Sequence, residues 1–381
     1  MKKEFLLAPG PSQVPPETLL EMAKPVFHHR TKRFQNIFAE VQEGLKYVFQ
    51  TKNPVLVFAS SGTGAMEGAV SSVLSPGDKA ISVVGGKFGE RWSKLCKAFG
   101  VQSIDINVEW GKTVDPAVLK KELENNKGVK AVYVTLVETS TGTLADIKKI
   151  GEVVKNTPAI LVVDAISGLG ADMFMTDEWN VDIAISGSQK ALMLPPGLAF
   201  ASVSEKAMKL VNESKNTSFY FSFKKAKASL DKNDTAYTPA VTLIIGLKKS
   251  LDMIKEETIE KVWKRHEDNA AAMRQAVKAI GLKLYSQNPA NAVTAVWIPE
   301  TVDGSAFVKK IRDEYGVTMA GGQEDLKGRI FRVAQMGYAN QFDTVVASSA
   351  IEMVLAELGY GFERGAATRA AVAELIKRGV K

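Results

Sequence analysis

Seven short apolar runs, rich in Val and Ile, occupy residues 55–60, 79–85, 101–108, 129–136, 159–165, 181–187 and 197–203. Each is bounded by Gly, Ser, Pro or Asp, as strands buried on both faces are. Helical patterns at 64–74, 88–99 and 115–125 lie between several of them. Parallel strands need long crossovers, and crossover helices cover the sheet. The expected fold class is therefore α/β: a large domain with a mostly parallel seven-stranded sheet covered by helices on both faces. Ligands of such sheets sit at the carboxyl ends of the strands, so chemistry is sought just after each run.

Sheet alternation stops in the polar stretch 204–239. A helical pattern follows from 241 to about 281, with one long stretch at 251–280. Then come a strand at 292–298, a helix at 305–315, a strand at 329–333 and helices at 341–358 and 366–377. These predict a smaller C-terminal α+β domain. The expected division is an N-terminal arm at 1–16, a large domain at 17–257 and a small domain at 258–381, with one long helix able to bridge the last two.

Charge and composition exclude several functions. The net charge of +7 is spread along the chain, apart from a short cluster at Lys224, Lys225 and Lys227. Without a concentrated patch interleaved with aromatics, no nucleic-acid partner is expected; the surface favours anionic metabolites. No apolar run approaches about 20 residues, so no membrane span is expected. With one cysteine, Cys96, and three histidines, His28, His29 and His266, neither a disulfide framework nor a zinc site is expected. A cytoplasmic enzyme without a metal is the reading.

Three strand ends carry candidate chemistry. The first run enters Ser61-Gly62-Thr63-Gly64-Ala65, a small-residue loop opening a helix, where backbone N–H groups and the helix dipole can hold a phosphate. Its glycine spacing fits neither a dinucleotide fingerprint nor a Walker loop, because no acidic residue follows a second strand and no Gly-Lys-Ser/Thr is present. The fifth run ends at Asp164, and the sixth leads through Ser186-Gly187-Ser188-Gln189 to Lys190. Alone, the loop is equally a tight turn, Asp164 a helix cap or ion pair, and Lys190 a surface cation. Together they match the handles of pyridoxal 5'-phosphate: N–H groups for its phosphate, an anion for its pyridine nitrogen and an amine for its aldehyde. A lysine desolvated beyond a buried strand becomes nucleophilic toward a carbonyl. Phe88, after the second run, is placed to stack on a ring or to serve as a core aromatic.

On these residues the chain resembles the class V, fold-type I aminotransferases, within them the alanine–glyoxylate and serine–pyruvate group. The resemblance runs from Pro9-Gly10-Pro11-Ser12 to about residue 358. It is carried by Ser61-Gly62-Thr63-Gly64, Glu138-Thr139-Ser140-Thr141-Gly142, Val163-Asp164-Ala165 and Ser186-Gly187-Ser188-Gln189-Lys190-Ala191. It implies that Thr63, Gly64, Ala65 and Gln189 hold the phosphate end, and that Phe88 and Ile166 pack on the two ring faces. It implies that Thr139 lies near the phenolic oxygen, that Asp164 pairs with the ring nitrogen and that Lys190 forms the Schiff base. Arg332 would grip the substrate carboxylate and Gly10 touch the substrate through its backbone. It further implies a homodimer with sites at the interface, where Thr238 of the second subunit reaches the phosphate. Ala65 and Thr235 stand where some relatives carry histidine and tyrosine.

The implied activity moves an amino group from a small amino acid, alanine or serine, to glyoxylate or pyruvate by a ping-pong mechanism. Aspartate as donor is the nearer alternative, with Arg30 and Arg33 as unplaced candidates for a second carboxylate. A cysteine desulfurase needs a reactive cysteine on a mobile loop, whereas Cys96 sits in a helical pattern. A nucleotide-binding dehydrogenase is disfavoured by the loop spacing.

Overall fold

In the computed structural model, residues 3–380 are described; Met1 and Lys2 of the expected arm and Lys381 of the expected small domain lie outside them. All seven apolar runs form strands: β1 (Val55–Ser60), β2 (Lys79–Val84), β3 (Gln102–Asn107), β4 (Val129–Thr135), β5 (Ile160–Asp164), β6 (Ile183–Gly187) and β7 (Gly197–Val203). They make one sheet in the order β1-β7-β6-β5-β4-β2-β3. Only β7 runs against its neighbours; the remaining pairs are parallel. Strands β5 and β6 are buried at every residue. Their continuous apolar character therefore replaces the in/out alternation of a one-sided sheet.

Each face of the sheet has its own core. On one, Phe34, Phe38 and Leu45 of helix Lys32–Phe49 meet Ile244 and Leu247 of helix Val241–Glu257. On the other, helices Gly62–Ser71 and Gly89–Ala98 bring Met66, Val70, Trp92 and Cys96 onto the sheet. Trp92 stacks on Tyr133 of β4 at 4.6 Å between ring centroids, and the Tyr133 hydroxyl donates to the Ala69 carbonyl at 3.2 Å.

A third cluster unites Ala272 and Val277 with Phe307, Phe331, Ile351 and Leu375. It surrounds a small antiparallel sheet of β8 (Val293–Trp297), β9 (Ala320–Gly321) and β10 (Ile330–Ala334), in the order β8-β10-β9. This is the smaller α+β unit. Part of the stretch expected as an arm is built into it. Phe5–Leu6 pairs in parallel with Val317–Thr318, and Leu7 is buried in the same cluster.

One local expectation needs correction, and one polar stretch gains structure. The pattern at 251–280 is not one helix. Val241–Glu257 and Ile259–Ala279 are separate helices, broken where Thr258 takes φ 73°, a left-handed conformation that a β-branched residue resists. The Tyr47 hydroxyl accepts the freed Ile259 N–H at 2.8 Å. The polar stretch 204–239 also contains two helices, Glu205–Glu213 and Phe223–Leu230, each opened by a serine whose side chain accepts a backbone N–H.

Candidate active site

Strands β2, β4, β5 and β6 point the same way, and β1, two antiparallel steps from β6, joins them. Their carboxyl ends share one edge of the sheet. There a cleft is lined by Thr63, Phe88, Thr139, Asp164, Ile166, Gln189 and Lys190, seven of the expected residues drawn from five strand ends. Ser61, Gly62, Arg91, Val137 and Ser167 complete the lining.

Of the expected phosphate loop, Thr63 lines the cleft, while Gly64 and Ala65 lie in the helix's first turn. Gly64 and Ala65 are buried behind the wall, and the Gly64 N–H donates to the Ser61 carbonyl at 2.9 Å. Ser61 stands at the N-cap position of that helix, and Ser61, Gly62 and Thr63 line the cleft. A Cβ at Gly62 would lie 2.4 Å from Ile166 Cδ1, so any larger residue there would have to displace the Ile166 side chain.

Asp164 is 3% exposed. Its Oδ1 accepts the Ile166 N–H at 2.9 Å. Burial pushes its carboxyl up to about 7; the Ile166 hydrogen bond pulls it down and Glu138 pushes it further up. Burial likewise pushes the Lys190 ammonium down to about 8, against the attraction of Asp164. Both groups thus change protonation close to neutral pH.

The N-terminal segment lies over the lysine. Lys190 Nζ donates to the Pro9 carbonyl, and the Ser12 hydroxyl donates to the Lys190 carbonyl at 2.7 Å. Gly10, at φ +117°, passes so close that a Cβ would lie 2.2 Å from Lys190 Nζ. Arg332 on β10 is 5% exposed; it does not line the cleft but is joined to it through Thr139. Its Nη1 donates to the Thr139 carbonyl at 2.7 Å, and Nε and Nη2 donate to the Gly321 carbonyl at 3.0 and 2.7 Å. Burial pushes this guanidinium down to about 10, which leaves it charged. Thr238 is not brought to the cleft of its own chain; it is exposed and lines a separate pocket with Phe58, Ala59 and Leu198.

Sequence reasoning missed two residues. Glu138 is buried, and its carboxylate accepts the N–H groups of Phe88 at 3.1 Å, Gly89 at 2.9 Å and Ser140 at 3.2 Å. It thereby fixes the loop that carries Phe88. Its signal was an acid directly after the apolar Leu136-Val137 pair. Arg91 follows Phe88 by three positions, one helical turn, which puts both on one face. Cys96, by contrast, is fully buried on the sheet, and burial pushes its thiol up to about 12, so it is unreactive. Among the described residues no group of three or more His, Cys, Asp or Glu side chains is placed to hold a metal ion, and no helix is long and apolar enough to cross a membrane.

The cleft's residues fit a flat aldehyde cofactor carrying a phosphate. A lysine amine and a buried carboxylate line it, glycine keeps one wall open, and Gln189 Oε1 is buried without a hydrogen-bond partner among the described residues. Such a site on such a sheet defines a pyridoxal-phosphate-dependent enzyme of the aminotransferase fold. Residues 4–342 match the family model for aminotransferase class-V, and the chain belongs to that family. It is 34% identical over 374 residues to the L-aspartate–glyoxylate aminotransferase of Paracoccus denitrificans, covering 96% of this chain and 94% of the relative. It is also 40% identical over 375 residues to a protein of a Synechococcus strain named soluble hydrogenase, small subunit, covering 97% of each. The crystal structure of ureidoglycine–glyoxylate aminotransferase from Bacillus subtilis superposes with a TM-score of 0.95 at 29% identity, covering 99% of each chain.

Proposed function

We propose that this aminotransferase transfers the amino group of a small amino acid, alanine or serine, to glyoxylate or pyruvate by a ping-pong mechanism. The observation that carries this reading is the convergence of Lys190, Asp164 and Arg332. Asp164 and Lys190 line one cleft with Thr139, whose carbonyl anchors Arg332. Glyoxylate is favoured as acceptor because similar proteins with aspartate and ureidoglycine donors are both named for it. Aspartate is the alternative donor.

When bound, pyridoxal 5'-phosphate supplies an aldehyde that exchanges amines and a ring that accepts carbanion charge. The protein does the rest. Thr63, Gly64, Ala65 and Gln189 would hold the phosphate end. Phe88 and Ile166 would pack against the ring, and Thr139 would lie near its phenolic oxygen. Asp164 would keep the ring nitrogen protonated. The Lys190 amine, with burial pushing its ammonium down to about 8, would be the group that takes the substrate Cα proton as general base and gives a proton back as general acid.

A guanidinium has five N–H bonds. Three of those of Arg332 go to Thr139 and Gly321, which leaves two for a substrate carboxylate while the fork stays fixed. Gly10 offers its backbone alongside. A homodimer completes the site, with Thr238 of the partner subunit reaching the phosphate; its exposure in one protomer supports that role. The division between large and small domains falls at the Thr258 break, and the setting is the cytoplasm.

The test is Lys190→Ala. The absorbance band of lysine-bound cofactor should vanish, together with transamination of alanine or serine with glyoxylate. Wild-type turnover in that variant would end the reading. A screen of amino acids that bleach the wild-type band identifies the donor; aspartate alone would overturn the small-donor assignment.

A further inference from the structure

The cleft holds a cation that the proposed chemistry does not use. Among the residues lining it, Arg91 and Lys190 are the two positively charged groups. Lys190 is committed to the aldehyde and lies beside Asp164. Arg91 Nη1 donates to the Thr63 hydroxyl at 3.0 Å, in the first turn of helix Gly62–Ser71, the helix start assigned above to the phosphate. Its guanidinium sits over the Phe88 ring at 5.1 Å. Among the described residues no carboxylate comes within ion-pair distance of it, although Glu90 is its chain neighbour and pairs instead with Lys94 at 2.9 Å. An arginine planted in a cleft, hydrogen-bonded to a neutral hydroxyl and lacking a carboxylate, retains most of its capacity to bind an anion.

Charge accounting sharpens this. A phosphate monoester carries close to two negative charges at neutral pH. The ring nitrogen takes Asp164, and the covalent link takes Lys190. Apart from Arg91, that leaves neutral donors, Thr63, Gln189 and the helix N–H groups, for the dianion within this chain.

We propose that Arg91 is a binding residue for the cofactor phosphate, using Thr63 as its hinge and Phe88 as its platform, so that one side chain couples the phosphate to the stacked ring. This rests on the cofactor reading given above. It commits the anion to a phosphate monoester dianion, whether on the cofactor or free in solution.

The experiment compares pyridoxal 5'-phosphate with pyridoxal, which lacks only the phosphate. Full-length wild type, Arg91→Met and Arg91→Lys, freed of cofactor, are titrated with each while the lysine-bound absorbance band is followed. Arg91→Met should weaken pyridoxal 5'-phosphate by at least about tenfold, the scale of one charge-assisted hydrogen bond. Pyridoxal should bind within about twofold of wild type, and Arg91→Lys should fall between. Inorganic phosphate should compete with pyridoxal 5'-phosphate more weakly in Arg91→Met than in wild type. Equal losses for both ligands would mean that Arg91 only supports Phe88, and unchanged affinity for both would mean that it does nothing; either overturns the proposal. If wild type itself forms no band with either compound, the cofactor reading fails first, a distinct result.

Discussion

Replacing Asp164 by asparagine should make the cofactor-free protein more stable, and increasingly so as pH rises toward about 7. Raising a buried carboxyl from 3.8 to about 7 makes its ionised form about 4 kcal/mol costlier in the folded chain than in the unfolded one. The sign follows from proton counting. Between pH 3.8 and about 7 the folded state keeps the Asp164 proton and the unfolded state has lost it. Stability therefore falls as pH rises through that window and is flat above it. Asparagine cannot ionise, so the slope disappears.

Two neighbours temper the number. Asp172, which burial pushes up to about 6, gives a similar slope in both proteins and cancels in the difference. Lys190 loses the attraction of Asp164 in the variant, which takes back part of the gain. We expect the stability gap to widen by about 2 kcal/mol between pH 5 and pH 8. With about 2.1 cal/mol/K of unfolding entropy per residue, that is a relative rise in Tm of about 2–3 °C. Thermal unfolding of both cofactor-free chains at the two pH values measures it. A gap that stays constant, or a variant that loses ground toward pH 8, would show that Asp164 is not held against its ionised form.

Two substitutions probe the substrate side. Arg332→Lys removes the planar fork and the bonds to Thr139 and Gly321; KM for the amino donor should rise by about tenfold or more, and unchanged KM and kcat would exclude the carboxylate role. Gly10→Ala places a Cβ 2.2 Å from Lys190 Nζ at φ +117°. Because the obstacle is the tip of a flexible side chain, the lysine should yield. Stability should then fall by only about 1–3 kcal/mol of backbone strain, while the lysine-bound band forms more slowly on adding cofactor. A normal rate of band formation would dismiss the contact.

Much of this arrangement was legible from residue order. Strands β5 and β6 are buried on both faces, so their apolar runs ended where chemistry begins, at Asp164 and just before Lys190. The break at Thr258 was not legible, because nothing in the helical periodicity of 251–280 marks a left-handed residue; the break is held by Tyr47, distant in sequence. The built-in strand at Phe5–Leu6 was hidden for the same reason, since its partner is Val317–Thr318. Glu138 was invisible in role because, the Ser140 hydroxyl apart, its partners are backbone N–H groups, which every sequence has.

The same physics explains why the cleft is costly without its ligand. Burial opposes the charge on Asp164, Lys190 and Arg332 alike, and folding the bare chain must bear that desolvation. A protonated ring nitrogen would meet Asp164, a covalent carbon would relieve the lysine, and a substrate carboxylate would meet Arg332. Each ligand group thus removes a penalty already present in the fold, so binding energy goes into relief of desolvation rather than into ordering new structure. If that is the design, cofactor should raise the stability of wild type more than that of Asp164→Asn, because the variant no longer carries the carboxylate penalty that the ring nitrogen relieves. Equal stabilisation of the two proteins by saturating pyridoxal 5'-phosphate would break the link between burial and binding.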